Sequence, residues 1–430
     1  MKREIQMKSS TEVKNRVDFL NIYRFVAFLM VFCLHAKSFA PTGWNNSSLS
    51  WLIYTPAWAG VWIFFVLSGY GIGYGFLFQR YPIVEIKDVF KFWWGRFKKI
   101  APMYYLYLMF AMFFVAPAIL TPDKANVLLI LKLLVFWYTP EADSFNLGIV
   151  WYLCTLIKLY FIAPFFWLIF RNIIHSKKEA FIAIIILIVV GFRARTFVKS
   201  IIESTGSGAW HIDIYKPFYM NLDLFFSGFL LAYWHTKGPK TEETKEPKTE
   251  EAKEPKVPKS LKRTICKLCT VLMMIALLLY NNYIYYCANI LGALMDAEQR
   301  QNYWFIYQYI LPTAWLVVSL LIIKVWDVDR EYQLEKISGK ALMKNPIRIF
   351  DYFPLVMMTS YLFHANFLRV VGSVLQPKTI NKIFSNRFDI HISKDTLPLV
   401  THICDMIVAI ICTFIFAWIL SCINRKEVKR

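Results

Sequence analysis

Residues 21–36 read NIYRFVAFLMVFCLHA, and this stretch decides the kind of fold to expect. Its centre is as apolar as lipid demands, yet it carries Arg24 and His35, eleven positions apart. With its flanks the run covers about 18–40, enough for the roughly 20 residues that cross a bilayer core. In a helix, eleven residues make three turns plus roughly 20°, so both side chains share one face, roughly 16 Å apart along the axis. A charge inside the membrane costs about 2.5–3.5 kcal/mol on insertion scales and marks a functional position by default. Each residue alone has a plainer explanation. Arg24 can snorkel to an interface, and His35 can be satisfied by a neighbour. Together on one face, the pair favours function.

The rest of the 430-residue chain extends the pattern. It is 57% hydrophobic, 18% aromatic and 18% charged, whereas soluble domains are about 45–50% apolar and about 25% charged. Apolar runs recur at about 18–40, 51–78, 101–120, 148–170, 179–192, 216–235, 264–287, 304–325, 353–375 and 399–422. The expected fold is an all-α polytopic membrane bundle of about ten transmembrane helices. A further run, Val127 to Tyr138, is short and contains Lys132, which suits a re-entrant or interfacial segment. The net charge of +20 sits mostly between the runs, where the positive-inside rule puts it, so nucleic acid is not an expected partner and the lipid bilayer is. Ten spans with both termini cytoplasmic fit the charges best. The segment 193–215, with Arg193, Arg195 and Lys199, falls outside in that scheme and fits less well, as does 376–398.

Residues 1–17 read as a cytoplasmic tail with no cleavable leader, and 18–425 as the membrane domain. Within it, 237–260 reads as a disordered charged linker, because 240–255 is KTEETKEP followed by KTEEAKEP. Eight cysteines are present, and the Cys266–Cys269 spacing lacks a second ligand pair, so no metal is expected.

Four further stretches hold chemistry. In WIFFVLSGYGIGYGF (62–76), Gly69, Gly71, Gly73 and Gly75 follow Ser68 and would let a helix or a ligand approach closely. In FKFWWGRFKKIAPMYYLY (90–107), Arg96, Lys98 and Lys99 precede Pro102, which suits the first turn of a new helix. Such a start favours anions such as phosphate, although an ordinary positive-inside cluster would look alike. NLGIVWYLCTLIKLYFIAP (146–164) places Trp151 and Tyr152 near an interface and Lys158 inside a span. In MMTSYLFHANFLR (357–369), Ser360, Tyr361 and His364 share a helix face.

In this order, the Arg-x10-His helix, FFVLSGY, the basic turn before Ile100-Ala101-Pro102, the WYL helix and the late SYLFH helix resemble the acyltransferase-3 family of bacterial inner-membrane proteins. The resemblance implies a ten-span enzyme moving an acyl group, often acetyl, from cytoplasmic acyl-CoA to an acceptor, commonly a surface glycan or glycolipid. It implies that Arg24 and His35 are the family's arginine–histidine pair. Arg96 and Lys99 would stand at its paired-arginine motif, with lysine where arginine is usual. Leu156 and Ile157 occupy the region where many members carry WSL and glutamates. The expected catalytic set is His35, Arg24, Tyr361 and His364. Arg24, Arg96, Lys98, Lys99 and Ser68 would bind acetyl-CoA as donor substrate. Trp151 and Tyr152, with Trp44, Trp51 and Trp58, would meet the acceptor. The chain ends at Arg430, soon after the last run, with no room expected for an appended extracytoplasmic domain. The location implied is the bacterial cytoplasmic membrane. The rival class is a transporter or flippase using Arg24, His35, Lys158 and His364 as relay groups, and no internal repeat supports it.

Overall fold

A computed structural model describes residues 19–37, 57–235, 259–289, 295–326, 350 and 352–427. The N-terminal tail, most of the charged repeat linker, Trp44 and Trp51 lie outside these. Every regular element among the described residues is helical. The principal helices are α1 Phe19–Lys37, α2 Ala57–Leu77, α3 Ile86–Phe110, α4 Lys124–Leu134, α5 Trp151–Phe170, α6 Lys177–Thr205, α7 Leu222–Leu231, α8 Lys259–Asn289, α9 Ala297–Phe305, α10 Leu311–Trp326, α11 Phe353–Val374, α12 Pro377–Phe388 and α13 Leu397–Glu427. Among the described residues, seven stretches are long and apolar enough to cross a membrane: α1, α2, α5, α6, α8, α9 with α10, and α13. The fold is an all-α polytopic membrane bundle.

The three other apolar runs are helical but less regular. α3 carries the basic cluster along its first half. The run at 216–235 breaks into α7 between two tight turns, Phe218–Asn221 and Ala232–His235. α11 spans 22 residues and holds His364, Asn366 and Arg369. α4 has 11 residues, about 16 Å of rise, too short to cross about 30 Å of hydrocarbon. It is pinned by the hydroxyls of Tyr104 and Tyr105, which donate to the carbonyls of Leu133 and Leu134 at 2.8 Å each.

Two boundaries differ from expectation. α6 continues 29 residues to Thr205, so Arg193, Arg195 and Lys199 ride on a helix and not in an outer loop. The hydrophobic run ends near 192, but the helix continues to the left-handed cap at Gly206. Second, α3 runs through Pro102 without restarting. The proline only forgoes a hydrogen bond to the carbonyl of Lys98, an exposed residue on the surface of the bundle.

The chain divides into two compact units, Met1–Gly60 with Trp326–Arg430, and Val61–Val325. In the first, α11 packs on α13 and on α1. Phe28 and Phe32 are buried there, and Phe25 meets Phe350, Phe353 and Phe414. In the second, α2 meets α7 backbone to backbone. A Cβ at Gly69 would sit 1.8 Å from the Phe225 carbonyl oxygen, and one at Gly73 would sit 2.2 Å from that of Phe229. Two of the four alternating glycines are therefore a packing seam. At Gly71 a Cβ would meet nothing within 4 Å.

Candidate active site

The first unit brings the two mid-span histidines together. The ring centroids of His35 on α1 and His364 on α11 lie 4.9 Å apart, with planes at 67°. Phe28 and Phe32 close around His364 at 5.8 and 6.1 Å. His364 is fully buried, and residue His35 is the less buried of the two.

The tautomer of His364 follows from its partner. Its Nδ1 is 2.7 Å from the Tyr361 carbonyl oxygen. A carbonyl only accepts, so the neutral ring carries its proton on Nδ1. Nε2 then presents a lone pair, and this buried atom has no hydrogen-bond partner in the protein. The geometry makes the neutral Nε2 of His364 an acceptor. One turn earlier, the buried Ser360 Oγ also lacks a protein partner and is a free donor. Tyr361 is buried at 4% exposure and contributes its carbonyl as the anchor of the imidazole.

Arg24 lies half-buried and donates from Nη1 to the Asn21 side-chain oxygen at 2.8 Å. The shared face between Arg24 and His35 is not open. Phe28 and Val31 stand on it, and Phe28 touches Phe353 and Phe414 as well as His364. An extended donor lying along that face would have to displace Phe28.

The basic cluster belongs to the second unit. Arg96 is half-buried, and its guanidinium is clamped: Nη2 donates to the Tyr81 hydroxyl at 2.5 Å, and Cζ stands 4.6 Å over the Tyr81 ring and 5.6 Å over Phe92. Its Nε is buried and unspent. Lys99, three residues on, shares that side of α3, whereas Lys98 turns to the other side, 5.7 Å from the Trp94 ring. The cluster is not at a helix start. The start of α3 is Glu85 with Asp88, an acidic capping box, so the dipole adds nothing to phosphate binding here. Ser68 is half-buried on α2, on the side of Gly71 where space is open.

Trp151 and Tyr152 are buried, at 7% and 3% exposure. Trp151 lies 4.8 Å from Tyr215 and 6.3 Å from Phe65, and Tyr152 lies 5.1 Å from Phe65. Both are packed among aromatic neighbours of the second unit. Lys158 finds the Trp137 ring at 4.1 Å, a local reason for an intramembrane lysine that needs no transport role.

One charged pair escaped the sequence reading. Arg195 on α6 donates from Nη2 to both carboxylate oxygens of Asp223 on α7, at 2.5 and 2.6 Å, and to the Met220 carbonyl at 3.3 Å. Both side chains are buried. The signal was present: opposite charges in two neighbouring apolar segments, which must pair to enter lipid.

Residues 17–422 match the acyltransferase-3 family, an acyltransferase domain, and the chain belongs to it. Curated proteins and solved structures return no match. The match takes in both units, and with the apolar helices it defines a multi-pass membrane acyltransferase.

Proposed function

We propose that this protein moves an acyl group, acetyl in the first instance, from acyl-CoA to a hydroxyl of a cell-envelope glycan or glycolipid in a bacterial cytoplasmic membrane. The observation that carries the reading is the unpartnered Nε2 of His364, beside His35 and oriented by the Tyr361 carbonyl. A base oriented by a second group is the arrangement that acyl transfer uses.

His35, the less buried of the two, takes the proton of the acceptor hydroxyl as its oxygen attacks the thioester carbonyl carbon. His364 holds that charge through its neutral Nε2. The free Ser360 hydroxyl donates to the developing oxyanion. The carbon–sulfur bond then breaks, and the proton returns from the imidazolium to the departing thiolate. The products are the ester and the free CoA thiol. Separately, Arg96 and Lys99 on α3 offer positive charge to phosphates, with the unspent Nε of Arg96 as one specific hydrogen-bond donor.

The test is His35→Ala in membranes. General acid–base groups supply about 10²- to 10⁴-fold, so acyl transfer should fall by that order while the protein accumulates normally. Acetylation at the wild-type rate would sink the assignment. Arg96→Ala should abolish thermal stabilisation by acetyl-CoA, and free acetate should stabilise neither protein.

A further inference from the structure

With Trp151 and Tyr152 buried, the second unit offers a different aromatic surface. A cavity of about 300 Å³ lies between the end of α6 and α9, walled by Lys199, Glu203, Trp210, Gln301, Asn302 and Trp304. That volume is at the small end of ligand pockets.

The local sequence builds it. α6 stops at Gly206 with φ 63°, a left-handed cap that glycine adopts freely. The Asp213 carboxylate then accepts from the Ala209 N–H at 2.7 Å and folds the chain back. This sets Trp210 against the opposite wall, where its indole N–H donates to the Gln308 carbonyl at 3.3 Å. Its ring stacks on Tyr215 at 5.2 Å and 18°. On the other side, Asp296 caps α9 by accepting from Gln299 N–H at 2.7 Å, and α9 presents Gln301 and Asn302 to solvent.

The chemistry of the walls selects a ligand class. Trp304 and the face of Trp210 turned away from Tyr215 offer flat apolar surface beside Phe305 and Tyr309, and Gln301, Asn302 and Gln308 bring carboxamides to the same cleft. Lys199 and Glu203 pair at 2.5 Å, so their charges cancel and the cleft has no net pull on an anion. A lipid tail would desolvate the amides without return, and a phosphate would find its cation already engaged. A pyranose satisfies both kinds of wall, with C–H faces on the rings and hydroxyls on the amides. The wall residues Gln301 and Asn302 lie in 288–303, which the charge pattern puts on the outer side.

We infer that this cleft holds a sugar unit of the acceptor glycan. The inference rests on the proposed function for the idea that the acceptor is a glycan. The binding itself is tested without catalysis. The full-length protein is immobilised in detergent and exposed to oligosaccharides released from the envelope of cells that make it. Retained sugar is counted after hydrolysis. Trp304→Ala and Asn302→Ala should each retain about tenfold less than wild type, the equivalent of about 1.4 kcal/mol. Both should keep the wild-type response to acetyl-CoA. Should Trp304→Ala fail to fold, Asn302→Ala and Gln301→Ala, which change exposed side chains, decide. Wild-type retention by the cleft variants, or no retention by wild type, overturns the inference. Failure of acetyl-CoA to stabilise wild type would sink the donor assignment and leave the retention result standing, so the two failures are distinguishable.

Discussion

His364 and Arg195 show what single residues decide in this protein. The Nδ1 bond to the Tyr361 carbonyl, 2.7 Å long, fixes which nitrogen of His364 carries the proton. If the two imidazoles act as one unit, their losses will not add. His364→Ala should cost as much as His35→Ala, and the double variant little more than either, in the initial rate of acyl transfer. Additive losses would show two independent roles. Arg195 and Asp223 are a matter of stability. Removing one partner from a buried pair typically costs about 3–5 kcal/mol, because the other charge is stranded. Arg195→Ala and Asp223→Ala should each lower accumulation and the thermal midpoint sharply. Arg195→Met combined with Asp223→Leu should recover much of the loss. Asp88, at the water-side start of α3, titrates. Backbone N–H groups of Glu85 and Val84, and then Lys91, hold its carboxyl below the ordinary value. A carboxyl depressed in the folded state contributes stability above its unfolded pKa, about 3.9, and loses it as pH falls through the lower folded value. Amide exchange in the first turn of α3 should therefore quicken below about pH 4. Asp88→Asn should abolish that step.

Elements were legible where one physical cause dominated. The apolar runs gave the long helices because lipid length is a strong constraint, and α1, α5 and α11 fall close to their expected bounds. Boundaries set by something else were not legible. α6 overruns its apolar run because a buried ion pair lets polar residues stay in the helix, and the partner of Arg195 lies 28 residues away. α3 passes through Pro102 because the lost hydrogen bond falls beside an exposed residue, which no local pattern announces. The glycine run was half legible. Its alternation hid the fact that only Gly69 and Gly73, one turn apart, face a neighbouring backbone. That gives a paired expectation. Gly69→Ala forces α2 and α7 apart and should destabilise by about 1–3 kcal/mol or more. Gly71→Ala enters open space and should be near neutral or slightly stabilising, since alanine is the better helix former. Thermal unfolding of the two purified variants separates a packing seam from a general need for glycine. Equal effects would refute the seam.

At the scale of the whole molecule, the histidine pair lies in one compact unit, and the basic cluster and the cleft in the other, while the family domain takes in both. The histidines were legible because intramembrane imidazoles are conspicuous in a single sequence. The cleft was not, because its walls come from residues about 100 positions apart and its tryptophans resemble ordinary interfacial ones. What joins the parts into one function is sidedness. Under the proposed function, a cytoplasmic donor and an outer acceptor would require the basic half of α3 and the cleft beside α9 to open on opposite sides. The charge pattern predicts this, with Lys98 inside and Gln301 outside. Both side chains are exposed, so each position accepts a cysteine without disturbing the core. In a background with the native cysteines replaced, Gln301→Cys in intact cells should react with a membrane-impermeant maleimide. Lys98→Cys should react only after permeabilisation. If both react from the same side, the cleft opens where the donor is, and an exported glycan is not its ligand. The acyl group would then be passed to a cytoplasmic acceptor, and the chemistry at His35 and His364 would stand while its destination changed.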